Sequence, residues 1–182
     1  TKFELLPKPG LMSVTMSLNN KRLQTERQII ARSVIVDELN ESLERIHATY
    51  SMEILQGATS EFEYEIPAGF EVTNVDSPDL ERWSVASVDD TQQLTVEFRS
   101  PQTKPVAVRI TAIKTSPTWG EWTFPMINAR GVETSTGVVG LLAERRLAIS
   151  SLTAEGAIPL NNAVLENALP ESIFVVEPGA PP

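Results

Sequence analysis

Glu61, Glu63 and Glu65 are separated by single residues, Phe62 and Tyr64, the spacing that sets three carboxylates on one face of a strand, neighbours about 6.5–7 Å apart. Such a stripe could hold a hard cation, because calcium gathers clustered oxygen ligands. Calcium loops, however, collect those ligands through glycine-containing turns, so the expected role is a charged, solvated sheet face that discourages pairing with other chains. Asp76, Asp79, Asp89 and Asp90 fall in turn-like stretches, where aspartate bonds its own backbone. A pair of them could act as general acid and base or hold calcium, yet their spacing matches no carboxylate motif. The single histidine, His47, falls on the polar side of its segment beside Arg45 and Thr49. Triad chemistry would need a designated nucleophile and an orienting acid, and the nearby Ser42 and Ser51 are not marked out as either, so a surface histidine is expected. Gly137-Val138-Val139-Gly140 lacks the third glycine and the following lysine of a phosphate loop. No catalytic residue, metal site or cofactor is assigned. Asn40-Glu41-Ser42 fits the glycosylation pattern, a match that three residues often make by chance.

The three tryptophans are the remaining candidates. Trp119 and Trp122, if exposed, could stack on sugar rings and form a carbohydrate-binding platform. Their spacing of three puts them on opposite sides of a regular strand, so a shared platform needs a bent loop. The alternative is core packing, with each indole N–H bonded to a carbonyl. Trp83, inside an alternating stretch, is expected in the core.

Composition narrows the setting. The chain has 182 residues, 41% of them hydrophobic and 6% aromatic, enough for a sizeable and mainly aliphatic core. Its net charge of −9 opposes phosphate backbones and anionic lipid surfaces, which argues against nucleic acid as a partner. The absence of cysteine excludes disulfides and thiolate chemistry and suits a bacterial exported protein. No apolar run reaches the length of a membrane-spanning helix. The start at Thr1 and the Pro-rich end, residues 176–182, read as the boundaries of a module within a longer protein.

The elements that must position these residues read mainly as strands. Residues 11–18 alternate, with Val14, Met16 and Leu18 on one side, and Ile29–Val36 is a dense β-branched run suited to a strand covered on both faces. Residues 36–50 fit a helical stripe of Val36, Leu39, Leu43, Ile46 and Tyr50. They also fit two strands joined near 38–43, because Ile46, Ala48, Tyr50, Met52 and Ile54 alternate with polar residues. Two strands is the preferred reading. Phe62-Tyr64-Ile66, a break at Pro67-Ala68-Gly69, Phe70-Val72, a turn at Asp76–Asp79, Trp83-Val85, Leu94-Val96-Phe98 and Val106-Val108-Ile110 continue the series. Strands at such spacing with turn chemistry between them mark an all-β fold, an antiparallel sandwich or a supersandwich-like variant. Trp119–Pro125 reads as an aromatic loop or short edge strand, Val138–Leu142 and Arg145–Leu152 as strands, and Ala163–Leu169 as one short helix capped by Asn162. A single domain over 1–175 is expected, with a subdivision near 115 left open.

The run from Ala48 through Ile54, then Glu61-Phe62-Glu63-Tyr64-Glu65-Ile66-Pro67-Ala68-Gly69-Phe70-Glu71-Val72, Trp83-Ser84-Val85 and Leu94–Phe98, resembles uncharacterised β-rich modules of large bacterial envelope proteins. The resemblance covers about residues 45–115 and implies an extracytoplasmic, multidomain setting, with no functional residues carried over. The leading expectation is a structural or protein-interaction module without catalysis, whose partners are neighbouring domains or another envelope protein. A carbohydrate-binding module is the alternative, and a carboxylate-based hydrolase the lesser one.

Overall fold

A computed structural model describes residues 27–88, 91–115 and 120–160. Alternating apolar residues fold into strands here because one face of each can be buried while the other stays wet. Nine strands are described: β1 (Gln28–Leu39), β2 (Leu43–Gln56), β3 (Thr59–Ile66), β4 (Glu71–Asp76), β5 (Leu80–Val88), β6 (Thr91–Gln102), β7 (Val106–Thr115), β8 (Asn128–Ala129) and β9 (Thr134–Ala143). They form a five-stranded sheet, β4-β7-β2-β1-β9, packed on a four-stranded sheet, β5-β6-β3-β8. The chain is therefore an all-β sandwich, as the strand spacing predicts.

Residues 36–50 are two strands, not a helix. The join is made by Asn40, whose side-chain Oδ1 accepts from the backbone N–H of Ser42 (3.0 Å) and of Leu43 (2.7 Å). The Asn-Glu-Ser pattern is thus a hairpin turn. The Pro67-Ala68-Gly69 break is a tight turn with Gly69 at φ +81 and Phe70 N–H donating to the Pro67 carbonyl at 3.3 Å. In the turn after β4, Asp79 takes the left-handed conformation that Asp tolerates, at φ 57.

The core has Ile46, Ala48, Tyr50 and Met52 of β2 facing Phe62, Tyr64 and Ile66 of β3 and Leu94, Val96 and Phe98 of β6, with Val108 and Ile110 of β7 beside them. It is mainly aliphatic, but its largest fully buried side chains are the two tyrosines. Their rings meet across the sheets at 5.0 Å, tilted by 54°.

Three expectations are corrected. The sandwich is not wholly antiparallel, since β9 runs parallel to β1 from Ile30↔Thr134 to Leu39↔Ala143; the long excursion through the second sheet lets the chain return in the same direction. Arg145–Leu152 is not a strand. It follows β9 as turn and irregular backbone, with Ile149 (51% exposed) and Leu152 (70%) facing water, because no described strand offers a ladder there. Trp83 is not in the core: it lies on the edge strand β5 and is 37% exposed. The strand expected at 11–18 and the helix at 163–169 lie outside the described residues.

Parallel pairing brings β9 very close to β1 at Gly137, where an added Cβ would stand 2.8 Å from the Ser33 carbonyl oxygen. Backbone cannot yield as a flexible side chain can, so Gly137→Ala is expected to cost about 1–3 kcal/mol of stability. Urea unfolding checks this against Gly120→Ala, where a Cβ meets nothing within 4 Å.

Candidate functional site

The inward face of β2 runs through Glu44, Ile46, Ala48, Tyr50, Met52 and Ile54, and that of β7 through Val106, Val108, Ile110, Ala112 and Lys114. Side-chain alternation therefore places two charged residues in line with the core. Glu44 and Lys114 are direct cross-strand partners in the last inward-facing row of the two strands. On β1 the inward set includes Ile29, Ala31, Ile35, Asp37 and Leu39, with Leu39 opposite Glu44 and Asp37 opposite Ile46. The result is a buried polar cluster at one end of the sandwich. Asp37 is 0% exposed and Glu44 is 2% exposed.

Glu44 is the hub. Its Oε1 accepts from the Trp122 indole N–H at 2.7 Å, and its Oε2 lies 3.4 Å from Lys114 Nζ. The same ammonium sits 5.6 Å from the centre of the Phe70 ring, close enough for a cation–π attraction. The Trp122 ring meets Phe124 edge-on at 5.9 Å. Between them lies a cavity of about 370 Å³, lined by Glu44, Phe70, Lys114, Trp122, Phe124 and Met126 among others. Burial, chiefly, together with the adjoining Glu44 carboxyl pushes Asp37 up to about 8, while Lys114 pulls it back. Asp37 therefore carries a proton at neutral pH and acts as a neutral partner to Glu44.

What this arrangement can do chemically is limited by access. Asp37 is 0% exposed and Glu44 2%, so a polymeric substrate has no approach to a bond between the two carboxyls. Among the described residues no group of three or more His, Cys, Asp or Glu could hold a metal ion. The cluster binds a loop and a proton.

Of the residues singled out from sequence, Trp122 is in this cluster and Trp119 lies outside the described residues. Trp122 is half-buried, with its N–H engaged by a carboxylate where a carbonyl was the expected partner. His47 sits on the outward face of β2, with Nε2 3.6 Å from Glu38 Oε2; burial lowers its pKa against the upward pull of Glu38. Ser42 and His47 line one outer groove beside the Asn40 turn, but the Ser42 Oγ turns to Asn40 Oδ1 at 3.4 Å. Glu61, Glu63 and Glu65 occupy the outward face of β3, and Glu65 pairs with Arg130. Asp76 ends β4 in an ion pair with Arg109 at 2.9 Å. Asp37, Glu44 and Lys114 were missed by sequence reading, although all three share the parity of the apolar residues on their strands.

A second feature lies at the opposite kind of place, an edge of the sheet that the described strands form. Among the described strands β5 pairs only with β6, and its residues Glu81 to Ser87 are all exposed. Trp83 and Val85 stand opposite the core residues Val96 and Leu94, so they continue the apolar inner face past the point where the facing sheet covers it.

No family model matches the chain, and no curated protein matches it. Among solved structures, it is similar to the M1 zinc metallopeptidase from Deinococcus radiodurans (12% identity, TM-score 0.34, 50% of this chain and 21% of that one). It is also similar to leukotriene A4 hydrolase from Saccharomyces cerevisiae (12%, TM-score 0.38, 54% of this chain and 16% of that one). A third match is a non-cellulosomal cohesin from Archaeoglobus fulgidus (11%, TM-score 0.35, 67% of this chain and 95% of that one). The chain spans about a fifth of the length of the two enzymes. Likeness at these scores carries no argument about activity or partners.

Proposed function

We propose that the chain is a non-catalytic protein-interaction module of a larger extracytoplasmic protein, and that β5 is the edge at which a partner adds a strand. The observation that carries this reading is the exposure of Trp83 (37%) and Val85 (38%) beside a backbone edge that no described strand pairs. Natural edge strands are normally blunted by shortness, bulges, proline or charge. β4 has six residues, a bulge between Val72 and Asn74 and terminal acids, and β8 has two residues. β5 is nine residues long, and its only irregularity is near Leu80, at its start. β9 is the other long edge, with Val139 exposed, but only β5 offers a tryptophan, the side chain most enriched at binding hot spots. Added strands gain affinity from main-chain hydrogen bonds and specificity from alternate side chains, and Trp83 and Val85 supply such a pair.

A photo-crosslinking residue placed at Ser84 of the full-length protein in its own cells tests the assignment. A discrete protein adduct is expected, diminished at least tenfold when Val85→Lys puts a charge on the apolar side. Adducts no different from those of the same probe at Thr49, on the outer face of β2, would sink the β5 assignment.

A further inference from the structure

Three carboxylate oxygens near one end of the sandwich accept no hydrogen bond from any described residue: both of Asp37, and Oε2 of Glu44. Buried polar atoms are almost always satisfied, so three together at one place call for an explanation. A hard cation would need six or more oxygens, and the described residues bring no third carboxylate to the pair. A single proton held between the two carboxyls, with the Lys114 ammonium 3.4 Å from Glu44, gives a cluster of no net charge. Removing that proton leaves two negative charges against one positive in a place closed to water, which is costly unless the site opens.

We propose that Asp37 and Glu44 form a proton-operated clasp. While the pair holds one proton, Glu44 fixes the Trp122 segment across the end of the sandwich; loss of the proton frees that segment and opens the cavity between Phe70 and Phe124.

Among the described residues, the charged and titratable groups around Asp37 are few. β1 contributes Glu38, β2 contributes Glu44, and β7 contributes Lys114. β9 places the apolar Leu141 beside it in register, and the 120–127 segment brings the Trp122 N–H to Glu44 and Glu121 to the same cavity. Of these, Lys114 alone opposes a second negative charge, and it is already shared with Glu44 and Phe70. Ionised Asp37 therefore competes for Lys114 and repels Glu44. Glu44 and Trp122 line the same cavity, so a Glu44 carboxylate turned into it toward water gives up its hydrogen bond to Trp122.

Indole ¹⁵N labelling of the native chain and an NMR titration from pH 5 to pH 9 test the clasp, with Trp122→Phe assigning the resonance. The Trp122 Nε1–H signal is expected at a downfield, carboxylate-bonded position in acid. It should leave that position with a one-proton midpoint in the neutral to mildly alkaline range. Asp37→Asn should hold it at the acid position throughout, and Lys114→Met should move the midpoint upward, which a merely structural contact would not do. A native signal that does not move, or one that moves identically in Asp37→Asn, overturns the proposal. The native titration decides by itself if a variant fails to fold.

Discussion

Asp37→Asn is expected to gain stability over the native chain progressively as pH rises from about 4 to about 8. The Asp37 carboxyl loses its proton at its ordinary value of 3.8 when the chain is unfolded and near 8 when it is folded. Within that window the folded state holds a proton that the unfolded state lacks. The native chain's contribution from this group is therefore greatest below pH 4, declines by at most about 1.4 kcal/mol per pH unit, and is lost above about 8. Asparagine keeps the shape and can donate to Glu44 without titrating, so the variant lacks this slope. Groups remote from residue 37 titrate alike in the two proteins, and the difference between them reports Asp37 together with the adjoining Glu44. Urea unfolding at pH 5, 6, 7 and 8 reads it directly. A difference that stays constant with pH would mean that Asp37 is ionised, or reaches water, in the folded state.

The two buried tyrosines should respond oppositely to loss of a hydroxyl. Tyr50 donates its O–H to the backbone carbonyl of Ile127, fastening β2 to the segment that leads into β8. Tyr50→Phe strands that buried carbonyl and is expected to cost about 1–3 kcal/mol. Tyr64 is 0% exposed, and its hydroxyl finds no partner among the described residues. Tyr64→Phe removes a polar atom that burial penalises, and the expected change lies between zero and a gain of about 1 kcal/mol. Each ring remains in place, so the tilted contact between the two is kept. Thermal or urea unfolding of both variants provides the check, and equal losses would show that Tyr64 has a partner after all.

Much of this architecture was legible because alternation reports which face of a strand is buried. The inward sets of β2, β3, β6 and β7 were all readable as apolar residues two apart, and Asn40, Pro67 and Gly69 announced their turns. Alternation is silent on how far the opposing sheet extends. Trp83 and Val85 have the correct parity for a core, but on β5 that face runs past the edge of its cover. Nor does it report partners: Arg145–Leu152 reads as a strand and no described strand offers it a ladder. The polar cluster was hidden for a third reason. Asp37, Glu38, Glu41 and Glu44 crowd around a hairpin turn, where charge is ordinary, and only continuing the parity of Ile46-Ala48-Tyr50 back to Glu44, and of Ile35 on to Asp37, separates the inward acids from the outward ones.

The parallel pairing of β1 and β9 also decides how the module would bear a mechanical load. Tension applied between the chain preceding Gln28 and the chain following Ala143 pulls the two strands lengthwise in opposite directions. Every hydrogen bond from Ile30↔Thr134 to Leu39↔Ala143 is then strained at once. An antiparallel pair pulled from one end parts like a zipper, bond after bond. Here the strands must slide past each other, and the close seat of Gly137 against Ser33 stands in the way of that slide.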